Sequence, residues 1–274
     1  MVKTPAVVQG ANSLAGRRVL LVEDNEINQE VARELLQRAG ISVDLAENGQ
    51  EAVERAAAGD YDAVLMDVQM PIMDGLEATR RIRALASARA TVPIIAMTAN
   101  AMAEDRQRCI EAGMNDHLGK PVDVNRLYAL LGQWTGAGET SAPSRPSHAK
   151  PIVGADVLST DGSAEPDFDF AAAIRQMADS RALWEKLARR FLAAPPAPAQ
   201  IMELLGVGER ESARRNAHSL KGVAATLCLL ALRRAAAILE QKLGEISANV
   251  DAELVALAQA DETARRVMGQ HLGS

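Results

Sequence analysis

Val19-Leu20-Leu21-Val22 runs into Glu23-Asp24, and Ala63-Val64-Leu65-Met66 runs into Asp67; these two stretches decide the fold. Each is a short, continuous apolar run that stops on acid. A strand with one wet face alternates apolar and polar residues, whereas a strand covered by helices on both faces reads as an unbroken apolar run. Val92-Pro93-Ile94-Ile95-Ala96-Met97, ending at Thr98, is a third run of this kind. Ile41 to Leu45 alternates and is placed nearer a sheet edge, and Asn115 to Leu118, just before Lys120, is a weaker fifth candidate.

Amphipathic segments separate the runs. Ile27, Val31 and Leu35 recur every four residues ahead of a stop at Gly40, and Asn48-Gly49 opens a helix over 50–58. Further helices are expected over 76–85, 101–112 and 124–131. Five strand–helix units in about 120 residues specify an α/β doubly wound (βα)5 parallel sheet, which binds its ligands at the carboxyl ends of the strands.

The composition shifts to Gly, Ser, Pro, Thr and Ala over 136–166, which reads as a flexible linker. A coil of roughly 30 residues spans on the order of 30 Å and leaves its flanking domains free to reorient. From 167 onward strand signals vanish. Ala213, Ala217, Leu220, Ala224 and Leu227 form one apolar stripe, and Leu232, Ala236, Leu239 and Leu243 form another. Helices are also expected over 170–178, 182–192, 199–205 and 252–272, interrupted by Pro195-Pro196-Ala197-Pro198. The solution is an all-α antiparallel four-helix bundle. The chain divides into domains over 17–135 and 167–274, joined by 136–166.

Hydrophobic residues make up 48% of the 274 and aromatics only 3%, so both cores are aliphatic. A net charge of −6 and a pI near 5.4 argue against nucleic-acid binding. The two cysteines, Cys109 and Cys228, lie far apart and read as buried, reduced thiols. Residues 1–16 carry one Lys and an apolar stretch broken by Gln9, Gly10 and Asn12, neither a signal peptide nor an anchor. No apolar run approaches the ~20 residues that cross a bilayer, so the expected location is the cytoplasm.

In a parallel sheet the ends of the first and third strands lie on one edge, so Glu23, Asp24 and Asp67 converge. Unpaired carboxylates repel, and a hard divalent cation relieves the repulsion. Mg²⁺ takes oxygen ligands and keeps several waters. The expected set is Asp24 and Asp67 directly, Glu23 through water, and the Gln69 backbone carbonyl. Asp67 is also the nucleophile candidate, because carboxylates form aspartyl phosphates. Lys120 offers an exposed point charge to phosphate oxygens, and Thr98 a hydroxyl. A lone Asp after a strand is usually a cap, and a lone Thr or Lys means less. The informative point is four such residues in order at carboxyl strand ends.

In the second domain stands Ala217-His218-Ser219-Leu220-Lys221-Gly222. With Ala217 and Leu220 facing the core, His218 sits ~100° round, on the flank. Lys221 and Gly222 share its patch, three and four residues on. A neutral imidazole is available, since the ordinary pKa is ~6.5. Lys221 can balance phosphoryl charge, and Gly222 removes bulk so that a partner surface can approach. A lone helical His is usually an ordinary surface or capping residue; the spacing is what narrows the choice.

With Leu20-Leu21-Val22-Glu23-Asp24-Asn25, Leu65-Met66-Asp67-Val68-Gln69-Met70-Pro71 and Lys120-Pro121, the first domain resembles the receiver domain of two-component response regulators. That family shares the doubly wound order for which a receiver is a standard example. The resemblance implies phosphorylation at Asp67, Mg²⁺ at Glu23, Asp24 and Asp67, and a switch through Thr98. His117 stands where the family often has a switching aromatic residue. Asn25, Asn28 and Met73-Asp74-Gly75 look like receivers attached to hybrid sensor kinases. Residues 167–274, with Ala217 to Gly222 and Ala237-Ile238-Leu239-Glu240, resemble a histidine phosphotransfer (HPt) domain, which implies a phosphorylatable His218. Cys228 departs from that family, many members of which have Gly soon after the motif.

The combined expectation is phosphorelay. Asp67 accepts a phosphoryl group from a sensor histidine kinase, and His218 passes phosphate to a response regulator aspartate. A Mg-dependent aspartyl-phosphate phosphatase is the alternative enzyme reading, against which Gln69 replaces the second acid of an Asp-x-Asp pair. A non-catalytic signalling scaffold is the alternative with silent phosphosites. No glycine-rich ATP-binding segment is present, so the chain reads as a phosphotransfer protein. Met1 tilts slightly toward a free-standing chain; were the chain a tail, its parent would be a hybrid histidine kinase.

Overall fold

The structure, a computed structural model, describes residues 14–98, 103–136, 168–245 and 248–273. The linker expected over 136–166 falls, after Gly136, outside the described residues, as does the expected start of the 101–112 helix at 101–102.

Five strands form the first domain: β1 (Arg18–Val22), β2 (Ser42–Ala46), β3 (Ala63–Asp67), β4 (Ile94–Thr98) and β5 (Asp116–Gly119). All pairings are parallel, in the order β2-β1-β3-β4-β5. The helices between them are α1 (Glu26–Arg38), α2 (Gly49–Ala58), α3 (Gly75–Arg83), α4 (Ala103–Ala112) and α5 (Val124–Trp134). Side-chain alternation along the strands sorts the apolar residues onto two faces. Val19, Leu21, Leu65, Ile95 and Met97 pack with α1 and α5, while Leu20, Val22, Val64, Met66, Ile94 and Ala96 pack with α2, α3 and α4. Every residue of β3 and β4 is buried, whereas β2, the alternating run, lies at the edge as expected.

The loops at the carboxyl edge are fixed by their own chemistry. Asn25 caps α1, its side chain accepting from the backbone N–H groups of Ile27 and Asn28, and Asp74 caps α3 through Glu77. A Cβ at Gly75 would lie 2.0 Å from the Asp67 carbonyl oxygen, so only glycine lets α3 start this close to the end of β3.

The second domain is helical: α6 (Phe170–Gln176), α7 (Arg181–Ala193), α8 (Ala197–Gly206), α9 (Arg210–Thr226), α10 (Leu230–Gly244) and α11 (Asp251–Leu272). Short connections join α8, α9, α10 and α11 into the bundle, α7 packs on α11, and α6 packs on α7. Both apolar stripes are buried. The proline cluster ends α7 and starts α8, with Pro196 at the cap and Pro198 in the first turn, where the missing N–H has no partner to lose. Cys228 adopts φ +55, a left-handed conformation in which glycine would be unstrained. Leu229 N–H bonds to the Ala224 carbonyl and Cys228 N–H to the Ala225 carbonyl, so α9 closes on a Schellman motif despite the substitution. Cys109 and Cys228 are both buried and free, as expected. Among the described residues no helix is long and apolar enough to cross a membrane.

The two domains are docked. The core face under α1 and α5 is continuous with the core of the helical domain, and α1 lies against α7 and α9. The docked arrangement combines this apolar packing with polar pairs on α1, described below.

Candidate phosphotransfer site

The carboxyl edge brings Glu23, Asp24 and Asp67 together, with one ligand oxygen from each lying within 4.8 Å of the others. Lys120, one residue past β5, reaches into this group. Its Nζ donates to Asp67 Oδ2 and to Glu23 Oε2, each at 2.6 Å. The sequence reading made Lys120 an exposed charge, and the structure corrects this. Its side chain is only 7% exposed, because β5 ends directly over the carboxylates that bind it. Gln69 donates its backbone N–H to Asp67 Oδ1 at 3.2 Å and lines the same cavity. Thr98, at the end of β4, has a buried hydroxyl oxygen with no hydrogen-bond partner among the described residues. His117 lies in β5, half-buried, with Nδ1 3.5 Å from Asp116.

Three carboxylates facing one ammonium leave an excess of negative charge. Burial pushes the Glu23 carboxyl up to about 7, with Asp67 adding to the rise against Lys120. Burial and Asp67 likewise push Asp24 up to about 6. Burial opposes the charge on Lys120, but Asp67 and Glu23 outweigh it and raise the ammonium above its ordinary range. Such a cluster of hard oxygen donors suits a divalent cation of the Mg²⁺ or Ca²⁺ kind.

On α9, His218 Nδ1 lies 2.7 Å from Glu240 Oε1, and Lys221 Nζ donates to Glu240 Oε2 at 2.5 Å. A carboxylate only accepts, so Nδ1 carries a proton, and in the neutral ring Nε2 then keeps its lone pair. Burial pushes the Glu240 carboxyl up, but its bonds to His218 and Lys221 prevail and hold it below its ordinary value. The sequence alone does not assign Glu240 a role. Its signal was position: it follows Leu239 of the buried stripe and so stands on the flank of α10.

The sites meet. Asp67, Gln69 and Thr98 line a cavity of about 390 Å³ together with His218, Lys221 and Glu240. Around it, Asn25 Nδ2 donates to Ser219 Oγ at 3.0 Å, and Thr226 Oγ1 donates to Asn28 Oδ1 at 2.9 Å. A Cβ at Gly222 would lie 3.2 Å from Asn28 Nδ2, so the bare glycine does admit a partner surface, the partner being α1. Lys186 Nζ pairs with Glu30 at 2.6 Å, Arg190 pairs with Glu26, and Arg38 donates to the Ala178 carbonyl at 3.0 Å.

Comparison with known proteins agrees with this division. Residues 19–132 match the response regulator receiver domain family, and residues 177–267 match the Hpt domain family. The two-component response regulator ORR41 of Oryza sativa subsp. japonica is 49% identical over 121 residues, 43% of this chain and 93% of that protein. The chain is a two-component phosphorelay protein. Its receiver domain is followed by an Hpt domain, and most of its length bears a likeness to the signal transduction histidine-protein kinase BarA of Escherichia coli. That likeness is 30% identical over 259 residues and covers 93% of this chain, which spans only 27% of BarA. The receiver domain of sensor histidine kinase PA1611 from Pseudomonas aeruginosa, solved with magnesium in its active-site cleft, is 48% identical. It covers 44% of this chain and 99% of its own, at a TM-score of 0.42. The fold itself rests on the strand order and register.

Proposed function

We propose that this receiver–Hpt protein is a phosphorelay intermediate in which Asp67 accepts a phosphoryl group from an upstream sensor kinase histidine, His218 takes it up, and it then passes to an aspartate of a downstream response regulator. The receiver spans 17–135, the tether 136–166 and the Hpt domain 167–274. The observation that carries the reading is the shared cavity, which Asp67 and His218 line together.

Each residue then has a task. Glu23, Asp24 and Asp67, with the Gln69 carbonyl, would hold Mg²⁺, which would supply neutralising charge to the phosphoryl oxygens. Lys120 gives the second positive charge and turns from Asp67 Oδ2 to the phosphoryl oxygens once that carboxylate has become an acyl phosphate. The Thr98 hydroxyl, buried and without a hydrogen-bond partner among the described residues, donates to the same group. In the transfer, His218 Nε2 forms an N–P bond as the P–O bond to Asp67 breaks, and Asp67 leaves as carboxylate. Glu240 holds the required tautomer and stabilises the cationic ring, while Lys221 offsets the charge of the arriving group. Reduced Cys109 and Cys228 fit a cytoplasmic setting.

The test is to label the full chain with a small phosphodonor and Mg²⁺, then separate acid-stable, base-labile phosphate from acid-labile phosphate. Label is expected first on Asp67 and then on His218. Asp67→Asn should take up neither, and His218→Gln should stop at the acyl phosphate. Equal labelling of Asp67→Asn and wild type would sink the reading.

A further inference from the structure

One side chain belongs to both the acidic pocket and the docked Hpt domain. Asn28 is buried in the first turn of α1. Its Nδ2 donates to Glu23 Oε1 at 2.8 Å, and its Oδ1 accepts from Thr226 Oγ1 at 2.9 Å. Glu23 Oε2 receives Lys120, which also holds Asp67. An unbroken line of bonds therefore runs Asp67, Lys120, Glu23, Asn28, Thr226. It continues through the Thr226 carbonyl to Gln176 Nε2 at 3.0 Å, at the carboxyl end of α9.

The line has a fixed sense. A carboxylate only accepts, so the amide nitrogen of Asn28 must face Glu23, and its carbonyl is left for the Thr226 hydroxyl. A reversed amide would set a carbonyl against a carboxylate. Glu23, Asn28 and Thr226 are all buried, so an unmade bond leaves a desolvated group without a partner. The cavity beside them measures about 20 Å³, room for about one water, so replacing the direct bond would require a single ordered water.

We propose that Asn28 couples the occupancy of the acidic pocket to docking of the Hpt domain. A cation held by Glu23, Asp24 and Asp67 would fix the orientation of the Glu23 carboxylate, whose Oε1 accepts from Asn28 Nδ2, and would so hold Asn28 with its carbonyl toward Thr226. Docking through Thr226 in turn holds Glu23 in its ligand position, so each event favours the other, and the coupling is reciprocal. The inference rests on reading the pocket as a Mg²⁺ site.

The experiment uses the full chain and magnesium chloride alone, with the dissociation constant read by titration calorimetry. Thr226 sits on the Hpt domain, so an effect of its substitution on the pocket must travel through the interface. Thr226→Val fills the same volume without the hydroxyl and should weaken Mg²⁺ binding roughly fivefold, the cost of one buried hydrogen bond. Thr226→Ser restores the hydroxyl and should restore the affinity. In an Asn28→Ala background, Thr226→Val should add nothing. Mg²⁺ should also slow hydrogen exchange along α9 in wild type but not in Asn28→Ala. Wild-type affinity in Thr226→Val, or its full effect persisting beside Asn28→Ala, overturns the coupling and leaves the phosphorelay reading standing. A wild-type chain that binds no Mg²⁺ overturns the pocket reading and the coupling together. Should Thr226→Val lose its helical circular dichroism, the exchange measurement decides alone: Mg²⁺-dependent protection of α9 surviving in Asn28→Ala overturns the proposal.

Discussion

Lys120→Met removes one charge from a site that holds three of the opposite sign, and its cost should depend on pH. The ammonium is 7% exposed and bonds two buried carboxylates at 2.6 Å, and its loss leaves Glu23, Asp24 and Asp67 facing one another. Removing one partner of a buried pair costs about 3–5 kcal/mol, because the remaining charge is left uncompensated. Protonation provides an escape. Glu23 already titrates at about 7 and Asp24 at about 6, and without Lys120 both rise further. An acid whose folded pKa lies above its ordinary value binds its proton more tightly when folded. The stability it contributes is complete below about 4.5 and is lost as pH rises through the folded value. Metal-free Lys120→Met should therefore be close to wild type near pH 5 and about 3 kcal/mol less stable near pH 8. Added Mg²⁺ should recover part of the loss at pH 8, since it binds only the folded pocket. Urea unfolding followed by circular dichroism, with chelator and with Mg²⁺, measures all four conditions. An equal loss at both pH values, or a loss below about 0.5 kcal/mol, would refute the burial argument.

Other perturbations separate the remaining parts. Glu240→Gln no longer fixes the Nδ1–H tautomer and should slow Asp67-to-His218 transfer by about 10- to 100-fold, as loss of an orienting carboxylate does elsewhere; ring ¹⁵N shifts should report mixed tautomers, and an unchanged rate refutes the role. Gly222→Leu should block transfer in cis while leaving α9 helical by circular dichroism, since even a Cβ there comes within 3.2 Å of Asn28; normal transfer would place the docking surface elsewhere. Lys186→Glu should loosen docking and speed exchange along α1, and Glu30→Lys in the same chain should restore it. Each surface pair contributes on the order of 0.5 kcal/mol and weakens with salt, so docking insensitive to salt would contradict this assignment.

Much of the fold could be read in advance because burial on both faces leaves an unmistakable trace. Val19 to Val22, Ala63 to Met66 and Ile94 to Met97 had to be central strands, and a parallel sheet then forced Asp24, Asp67, Thr98 and Lys120 to one edge. The stripe from Ala213 to Leu227 likewise set His218 on a flank. What escaped the sequence was contact between distant side chains with no periodicity behind it. Nothing in Glu240 marks it as the partner of His218, and nothing in Glu26 or Glu30 names Arg190 or Lys186 across the intervening chain. Lys120 was misjudged because residue type suggests exposure, while the strand that precedes it dictates otherwise. Cys228 is marked in the sequence only through the resemblance, as the residue where many members have Gly; its left-handed backbone is visible only in the structure.

The cavity shared by Asp67 and His218 also makes the Hpt face a turnstile, passable from one side at a time. While the tethered receiver occupies that face, no second receiver can collect from His218. Tethering gives an effective concentration of order millimolar. A cis affinity near 1 mM would leave His218 accessible about half the time, whereas one near 10 μM would leave it accessible for about one part in a hundred. Throughput is then governed by how tightly the protein holds itself, through the apolar packing shared by the two domains together with the polar pairs along α1.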